Sequence, residues 1–335
     1  MCRLDLIIDI GASNTIIYEK KRGIVLSEPS IVAIKNVNGK KSVYLAGSEA
    51  LDLAKKKNRP DNVNFIYPVN NASIQNIEAC KLMIKYFLDK FNKSFIRPTF
   101  VVMAIISCGL KPSERKAFEN MFFDLNIKNV TLIDAPIAVL PKVGGVQFVM
   151  VTGASVTDIA IVGENGVIAG CSISISGTLI ANRFKKYILD NYHLIVPLSR
   201  VENAVKELSE MSLDHTLSTF IQGKDEIDKI RRKEEIHSGD LQKILIPTIN
   251  DLIQTVESIF RIAPENYQAS IKNSGLHIYG GLANIPHLDN YISNALGIPV
   301  YVDGSIEAVA TNCAKFFKDK VALNKMLGIN VENNK

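Results

Sequence analysis

Residues 6–18 constrain the fold of this chain more than any other stretch, because two β-branched apolar runs flank a short polar turn. This pattern predicts a hairpin that leaves a buried sheet, with Asp9 at the end of the first run. The turn offers backbone N–H groups and short polar side chains from Gly11, Ser13, Asn14 and Thr15. Such a turn can wrap a phosphate while the carboxylate holds a hydrated Mg²⁺. An ordinary hairpin with a polar tip is the alternative that this stretch leaves open.

Length and composition indicate a globular protein of about two domains, since 335 residues are too many for one ordinary core. The net charge of +5 is mild and looks scattered, which argues against a nucleic-acid partner and suits weak attraction to an anionic membrane surface. The five cysteines have no paired spacing, which favours a reducing cytoplasm. We expect neither a signal peptide nor a membrane-spanning helix.

Strand and helix patterns alternate in the first half, which predicts a parallel α/β arrangement. Short strands are expected within residues 23–34 and at 42–46, and the rest of this half comprises a helix at 50–57, a loop at 58–71, a helix at 77–91, a strand at 99–106, a helix at 113–125, a strand at 130–133 and a short helix from Asp134. Phe95 and Ile96 lie in a predicted loop between basic residues, an unusual place for large apolar side chains.

Residues 147–162 repeat the opening pattern of strand, small-residue turn and strand, with Gly153, Ala154 and Ser155 in the turn. This repetition indicates an internal duplication that brings both turns to one cleft. The other predicted elements are strands at 166–175, 275–279 and 299–302, helices at 179–190, 201–210, 244–260, 288–295 and 306–317, a charged hairpin or loop at 223–238, and a frayed tail from Asn324.

Three glycine-containing turns, each after an apolar strand, resemble those of the actin, sugar-kinase and heat-shock-chaperone ATPase fold. Within it the chain is most similar to the MreB/Mbl family of bacterial actins. Residues 8–18 resemble the first phosphate loop of that family, and residues 23–34 resemble its G-I-V-L-x-E-P-S segment. Residues 114–117 and 297–300 resemble its E-R-R-A and G-L-P-V motifs, so the resemblance spans about residues 4–317.

The resemblance implies an actin-like fold of two α/β domains, each with an inserted small subdomain, closing on ATP or ADP with Mg²⁺. The implied subdomains are IA (1–31, 70–146 and 306–335), IB (32–69), IIA (147–180 and 245–305) and IIB (181–244). The implied nucleotide-binding residues are Asp9, Gly11, Ala12, Ser13, Asn14, Thr15, Gly153, Ala154, Ser155, Glu202, Lys206, Gly280, Gly281 and Leu282. Asp9 would also hold Mg²⁺ through water.

The family also implies a biological role, that of a filament subunit that helps set cell shape at the inner face of the cytoplasmic membrane. Its partners would be copies of itself, the membrane surface and, as a further hypothesis, a related paralogue. Phe95 and Ile96 fall where the family carries an apolar membrane-insertion loop. Packing of these two side chains on the neighbouring helix is the alternative.

The departures from the family pattern cluster on one chemical step. The second phosphate loop, D-I-G-G-G-T-T-E in the family, is V-T-G-A-S-V-T-D at residues 151–158, so that the leading Asp is Val151 and a Thr is Val156. The second Glu of E-E-P, which orients or activates water in the family, is Ala135. Asp134 and Thr157 are weak stand-ins, and losing a general base costs on the order of 10²–10⁴ in rate. We therefore expect weak or absent hydrolysis.

Alternatives remain at the nucleoside end and for the function. Leu282 adds bulk to the glycine turn of the family, and Glu202 and Lys206 are spaced one residue wider than its E-x-x-K pair. These two are either nucleotide contacts or ordinary charges on a helix surface. A nucleotide-binding filament subunit is the first hypothesis, an active ATPase of the same family the second, and a small-molecule kinase of the superfamily the third.

Overall fold

The computed structural model describes residues 3–37, 40–56, 58–92, 98–142, 144–212 and 216–329. The chain divides into two compact units. Unit 1 comprises residues 1–145, 162–167 and 306–335, and unit 2 comprises residues 146–161 and 168–305. The finer division into four subdomains stays a prediction.

The described residues among the first 138 form ten strands and four helices of unit 1. Its strands are β1 (Arg3–Ile10), β2 (Asn14–Glu19), β3 (Gly23–Pro29), β4 (Val32–Val37), β5 (Lys40–Ala46), β6 (Val63–Ile66), β7 (Val69–Asn70), β8 (Ser73–Ile74), β9 (Thr99–Ile106) and β10 (Asn129–Asp134). Its helices in this stretch are α1 (Ser48–Lys55), α2 (Ile77–Phe91), α3 (Pro112–Asp124) and α4 (Ala135–Ala138).

The main sheet of unit 1 has the strand order β10-β9-β1-β2-β3. β1, β9 and β10 run parallel, and the predicted hairpin joins β1 antiparallel to β2. Apolar side chains of α2 and α3, including Met83, Phe87 and Phe122, pack with the sheet in one buried cluster. The Asn76 side chain caps α2 by accepting a bond from the Ala79 N–H at 2.9 Å. Burial of this amphipathic face is what fixes α2 on the sheet.

A smaller sheet of order β5-β4-β6 also belongs to unit 1. Its own cluster joins Ile31, Ala33 and Val63 to Ala50 of α1. The Glu28 carboxylate, at the end of β3, accepts bonds from the Ser48 N–H at the start of α1 (2.8 Å) and from Lys90 of α2 (2.9 Å). These bonds tie the small sheet layer to the larger one, because they join the first turn of α1 to α2.

Unit 2 takes up the chain from residue 146. Its strands are β11 (Gln147–Thr152), β12 (Thr157–Gly163), β13 (Gly166–Ile173), β14 (Leu194–Ile195), β15 (Ser218–Asp225), β16 (Arg231–His237), β17 (Leu276–Gly280) and β18 (Val300–Asp303), with the turn at 162–167 grouped in unit 1. Its helices are α5 (Gly177–Tyr192), α6 (Leu198–Leu208), α7 (Ser238–Ile262), α8 (Glu265–Ser274) and α9 (Leu288–Leu296). Unit 1 resumes with α10 (Ala308–Cys313) and α11 (Lys320–Met326).

The main sheets of the two units repeat one topology. The order β3-β2-β1-β9-β10 of the first sheet is matched by β13-β12-β11-β17-β18 in the second. In both sheets three neighbouring strands run parallel, β11, β17 and β18 being the second set. The predicted duplication of an α/β fold is confirmed, and it makes β1 the counterpart of β11.

Several predicted boundaries need correction. Of the two alternatives for 223–238, the structure shows the hairpin, formed by antiparallel β15 and β16, and its first strand begins earlier than predicted, at Ser218. The loop expected at 58–71 contains β6, and α8 was missed because its apolar periodicity is weak. The closing helix expected at 306–317 is shorter, since it ends at Cys313 and gives way to a 3-10 turn. The tail expected to fray from Asn324 is still helical there, because α11 continues to Met326.

Helix lengths and apolar content also bear on membranes. Within the ranges that the structure describes, every helix is too short or too polar to cross a bilayer.

Candidate functional site

The turn between β1 and β2 is closed by one backbone hydrogen bond, from the Gly11 N–H to the Asn14 carbonyl at 3.0 Å. A Cβ atom on Gly11 would lie 2.9 Å from that carbonyl oxygen, so the turn requires glycine. Ser13 is exposed, and its hydroxyl accepts a bond from the Asn14 amide at 3.0 Å. Thr15 is fully buried, where its hydroxyl is 2.8 Å from that of Ser30. The polar groups accessible at the turn are therefore those of residues 11–14.

Asp9 lies at the carboxyl edge of the parallel strands of unit 1. In the sheet register Asp9 is opposite Ile105, and Asp134 at the end of β10 is opposite Ile106. The Asp9 charge is also near Cys313, whose thiol pKa is raised to about 12 by burial and further by that carboxylate. The carboxyl edge of parallel strands is the place where α/β sheets bind ligands. The structure thus places Asp9 beside the first turn, as the sequence predicts.

The Asp134 carboxylate forms an ion pair with Arg115 that was not predicted from the sequence. The Arg115 guanidinium of α3 lies 2.5 Å from Oδ1 of Asp134 and also donates to the Cys108 carbonyl at 3.3 Å. Burial raises the pKa of the Asp134 carboxyl, and the Arg115 charge opposes that rise. Ala135, the next residue, is buried and has no polar side-chain atom. Arg115 lies in the motif at residues 114–117, which is the sequence feature that could have predicted this ion pair.

Lys315 supports the other end of α4. Its ammonium group donates to the carbonyls of Ala138, at 3.3 Å, and of Leu140, which are at the C-terminal end of that helix. A cation at this position satisfies carbonyls that the helix leaves unpaired. Burial lowers the pKa of Lys315 to about 8, and the nearby Cys313 thiol acts in the opposite direction.

The turn between β11 and β12 in unit 2 has the same construction as the first. The Gly153 N–H donates to the Val156 carbonyl at 2.8 Å, and a Cβ atom on Gly153 would lie 2.9 Å from that oxygen. The Ala154 carbonyl accepts a bond from the Thr178 N–H at 3.1 Å, which holds the turn against the start of α5. The position equivalent to Asp9 is Val151, which is buried.

Thr152 joins this second turn to the glycine turn after β17. Its buried hydroxyl donates to the Tyr279 carbonyl at 2.8 Å and accepts from the Leu282 N–H at 3.1 Å. Gly280 has φ +93°, and a Cβ atom on it would lie 2.3 Å from the Thr152 carbonyl oxygen. A Cβ on Gly281 would meet no atom within 4 Å. The Leu282 side chain is buried and packs in the apolar cluster of unit 2, and its predicted place beside a nucleotide stays a prediction.

Two polar side chains at the start of β12, just after the second turn, are buried. The Thr157 hydroxyl, which is buried, donates to the Ile175 carbonyl at 2.6 Å. The buried Asp158 carboxylate accepts a short hydrogen bond from the Ser172 hydroxyl. Burial therefore keeps both side chains away from the exposed part of the second turn.

Glu202 and Lys206 lie four residues apart on α6. Glu202 is half-buried and Lys206 is exposed, and neither forms an ion pair with any residue that the structure describes. Both interpretations of these two residues therefore stay open. Phe95 and Ile96 lie outside the described residues.

The side chains at the first turn fit a hydrated cation better than a directly coordinated one. In the part of the chain that the structure describes, no three His, Cys, Asp or Glu side chains are grouped to hold a metal ion. Asp9 provides a carboxylate beside the first turn of unit 1, whereas Asp134 is paired with Arg115 and Val151, at the matching position of unit 2, provides none. Mg²⁺ keeps several waters when one or two carboxylates and substrate phosphates hold it. Asp9 fits such a role.

The family model described as "MreB/Mbl protein" matches residues 3–325. The chain belongs to the MreB/Mbl family. It is 27% identical over 308 residues to "Cell shape-determining protein MreB" of Escherichia coli K12, covering 89% of this chain and 88% of that protein. It is 26% identical over 307 residues to "Cell shape-determining protein Mbl" of Bacillus subtilis, covering 89% of this chain and 90% of that protein.

Solved structures with MreB and related names share the fold. MreB5 of Spiroplasma citri bound to ADP superposes with a TM-score of 0.86 at 20% identity, over 99% of each chain. The MamK double helical filament superposes with a TM-score of 0.77 at 16% identity, over 94% of this chain and 99% of that one. The actin-like fold expected from the resemblance is thereby confirmed, since these likenesses span nearly the whole chain.

The contact between Gly280 and Thr152 predicts a position-specific effect of adding one methyl group. Gly280→Ala is expected to lower the free energy of unfolding by more than 1 kcal/mol, because strained φ and a backbone clash add together. Gly281→Ala, where the added methyl group meets open space, is the matched control and should change it by less than about 0.5 kcal/mol. Urea unfolding followed by circular dichroism measures both. Equal effects of the two substitutions would contradict the account of this turn.

The lowered pKa of Lys315 predicts a rise in stability at alkaline pH. Between about pH 8 and 10.5 the unfolded chain binds the proton that the folded chain has lost, so the free energy of unfolding should increase with pH. Lys315→Met should remove this increase, which is on the order of 2–3 kcal/mol. The measurement is urea unfolding from pH 7.5 to 10.5, with Lys318→Met as the control at an exposed lysine. Because buried thiols titrate in every variant, the test is the difference between their pH profiles.

Proposed function

We propose that this protein is a cytoskeletal filament subunit that binds ATP or ADP and hydrolyses ATP weakly or not at all. The proposed loss of hydrolysis rests on one observation: the side chains expected to position water either lack an acceptor atom or are already bonded within the protein. Ala135 offers no acceptor, Asp134 is bound by Arg115, and the Thr157 hydroxyl donates into the protein. Phosphoryl transfer in this fold depends on positioning a water molecule and neutralising developing charge.

Nucleotide binding is supported by what the turns retain. The backbone N–H groups and short side chains of residues 11–14 suit a phosphate, and Asp9 suits the water shell of Mg²⁺. Bound Mg²⁺ would supply charge neutralisation at the phosphates. The second turn keeps its backbone shape through Gly153 but lacks a carboxylate at Val151. Structurally similar MreB proteins of Spiroplasma citri are bound to ADP and to AMPPNP, which supports the same ligand class here.

Self-association and a role in cell shape are supported by the relatives. Relatives in the family are named cell shape-determining proteins, and the similar MamK structure is a filament. We therefore propose that copies of this chain polymerise in the cytoplasm at the inner face of the cell membrane, alone or together with a more orthodox paralogue. Heterologous contacts that do not close into a ring give such filaments.

Restoring the lost acceptor tests the account of hydrolysis. The wild-type protein with Mg-ATP should release phosphate near the assay background, and Ala135→Glu should raise the rate by at least tenfold, because a positioned general base contributes about 10²–10⁴. Ala135→Gln has the same size without the base and should stay at the wild-type rate. Nucleotide affinity, measured by calorimetry, should be similar in all three. Wild-type turnover equal to that of an active MreB would instead support the second hypothesis, an ATP-hydrolysing family member.

The apolar pair at Phe95 and Ile96 is proposed as a membrane contact on the family resemblance. Burial of two such side chains in a bilayer contributes roughly 3–5 kcal/mol to the free energy of binding. This is weak for one subunit, but the contributions of many subunits add along a filament. Phe95→Ser combined with Ile96→Ser should abolish co-sedimentation of filaments with phosphatidylcholine vesicles. Retention of full binding by the double variant would rule out this contact. Filament pelleting without vesicles should be unchanged.

A further inference from the structure

The small sheet of unit 1 gathers basic side chains at one end, here called the basic tip and defined as Lys35, Lys41, Lys55, Lys56 and Arg59. Three strand ends meet there, because Lys35 near the end of β4 is opposite Ser42 of β5 and Val63 of β6. The loop that carries Arg59 connects the last turn of α1 to β6, and the Asn36 N–H donates to the Asn62 carbonyl at 3.3 Å. The tip is therefore one continuous region of the fold.

Most of the excess charge of the sequence comes from the segment that contains the basic tip. Residues 35–61 contain seven basic and three acidic residues, a net +4 out of the +5 of the whole chain. One of the three, Glu49, lies at the opposite end of α1 and pairs with Lys90 at 3.7 Å. The positive charge was expected from the sequence to be scattered. The fold corrects that view, because it brings residues from separate strands and a helix to one end.

The cations of the basic tip have no ion-pair partner within the described ranges of the chain. Among the described residues, none lies within ion-pair distance of these five side chains, whereas Lys81, Lys90 and Arg115 elsewhere in unit 1 all have carboxylate partners. The C-terminal dipole of α1 accounts for Lys55 and Lys56 but not for the three cations on strands and the loop. Unpaired cations in one place attract anions and raise their local concentration.

Aromatic rings lie beneath two of the cations. The Lys35 ammonium is 5.8 Å from the centre of the Tyr44 ring, and the Arg59 guanidinium is 5.9 Å from that of Phe65. Tyr44 is 45% exposed, and an amphipathic ring beside cations suits the level of lipid headgroups.

The tip residues come from separate chain segments with no regular spacing. Mobile headgroups can rearrange to meet such cations, whereas the fixed phosphates of a duplex or the surface of another protein demand a register.

We propose that the basic tip is a contact for the surface of an anionic phospholipid bilayer. This contact goes beyond the proposed membrane loop, since it stands whether or not Phe95 and Ile96 insert. Each cation near an anionic bilayer strengthens partitioning by about five-fold, so removing three should weaken it by about 100-fold. The attraction should fall steeply with added salt, because the charges are exposed.

Vesicle co-sedimentation of the full chain tests this proposal. The tip variant is Lys55→Ser, Lys56→Ser and Arg59→Ser, and the control variant removes three exposed cations of unit 2, Lys185→Ser, Arg231→Ser and Lys272→Ser. The vesicles are phosphatidylcholine alone, or phosphatidylcholine with about one third phosphatidylglycerol. The tip variant should lose about 100-fold in partitioning on the anionic vesicles and nothing on the neutral ones. Thermal melting of both variants confirms that they fold.

Each other outcome overturns the proposal in a recognisable way. Equal losses of partitioning on anionic vesicles in the tip and control variants would show that binding depends on the net charge of the protein and not on the basic tip. Unchanged binding of the tip variant would exclude the contact. Loss of filament pelleting without vesicles would assign the tip to another copy of the chain, and tip-dependent capture of duplex DNA at salt that releases vesicles would assign it to nucleic acid. The membrane loop is tested separately, because loss of the Phe95 and Ile96 contact lowers binding to both vesicle types, whereas loss of the basic tip lowers binding to the anionic vesicles alone.

Discussion

The backbone hydrogen bond that closes the turn after each central strand is the constraint on which the rest of the fold depends. It forms between Gly11 and Asn14 in unit 1 and between Gly153 and Val156 in unit 2, at 3.0 and 2.8 Å. In both turns the acceptor carbonyl occupies the space that a Cβ atom would need. Glycine there lets the chain reverse within a few residues, so that the next strand can pair with the first. The five-stranded sheets then grow with matching order around these hairpins.

The two turns have kept the same backbone while their side chains have diverged. Unit 1 retains Asp9 at the carboxyl edge of its sheet, and unit 2 has Val151 at the matching position. The shape of a turn depends on its glycine and its hydrogen bond, so that it survives the loss of a carboxylate. Hydrolysis, in contrast, depends on single acceptor atoms. The proposed function rests on this difference, because nucleotide binding requires the shape of the turns and hydrolysis requires particular acceptor atoms.

Much of the fold was predictable because strong local patterns coincide with buried elements. The apolar runs at β1, β9 and β11 and the helical periodicity of α2 were recognised from sequence, as was the repeated turn. Boundaries failed where tertiary contacts overrode periodicity. α8 has only Ile271 fully buried, which leaves little pattern to read, and α11 continues past a polar residue since Leu323 and Met326 are buried.

The sequence by itself determined the family, the two glycine turns and the absence of a carboxylate or hydroxyl at Val151, Ala135 and Val156, because these are properties of residue type. Only the tertiary structure decided which remaining groups are available. It paired Asp134 with Arg115, directed the hydroxyls of Thr15 and Thr157 to partners inside the protein, and gathered separate lysines at the basic tip. Hydrogen bonds and charge pairing act between residues distant in the chain. Their partners are set by sheet register and helix packing, which no local pattern specifies.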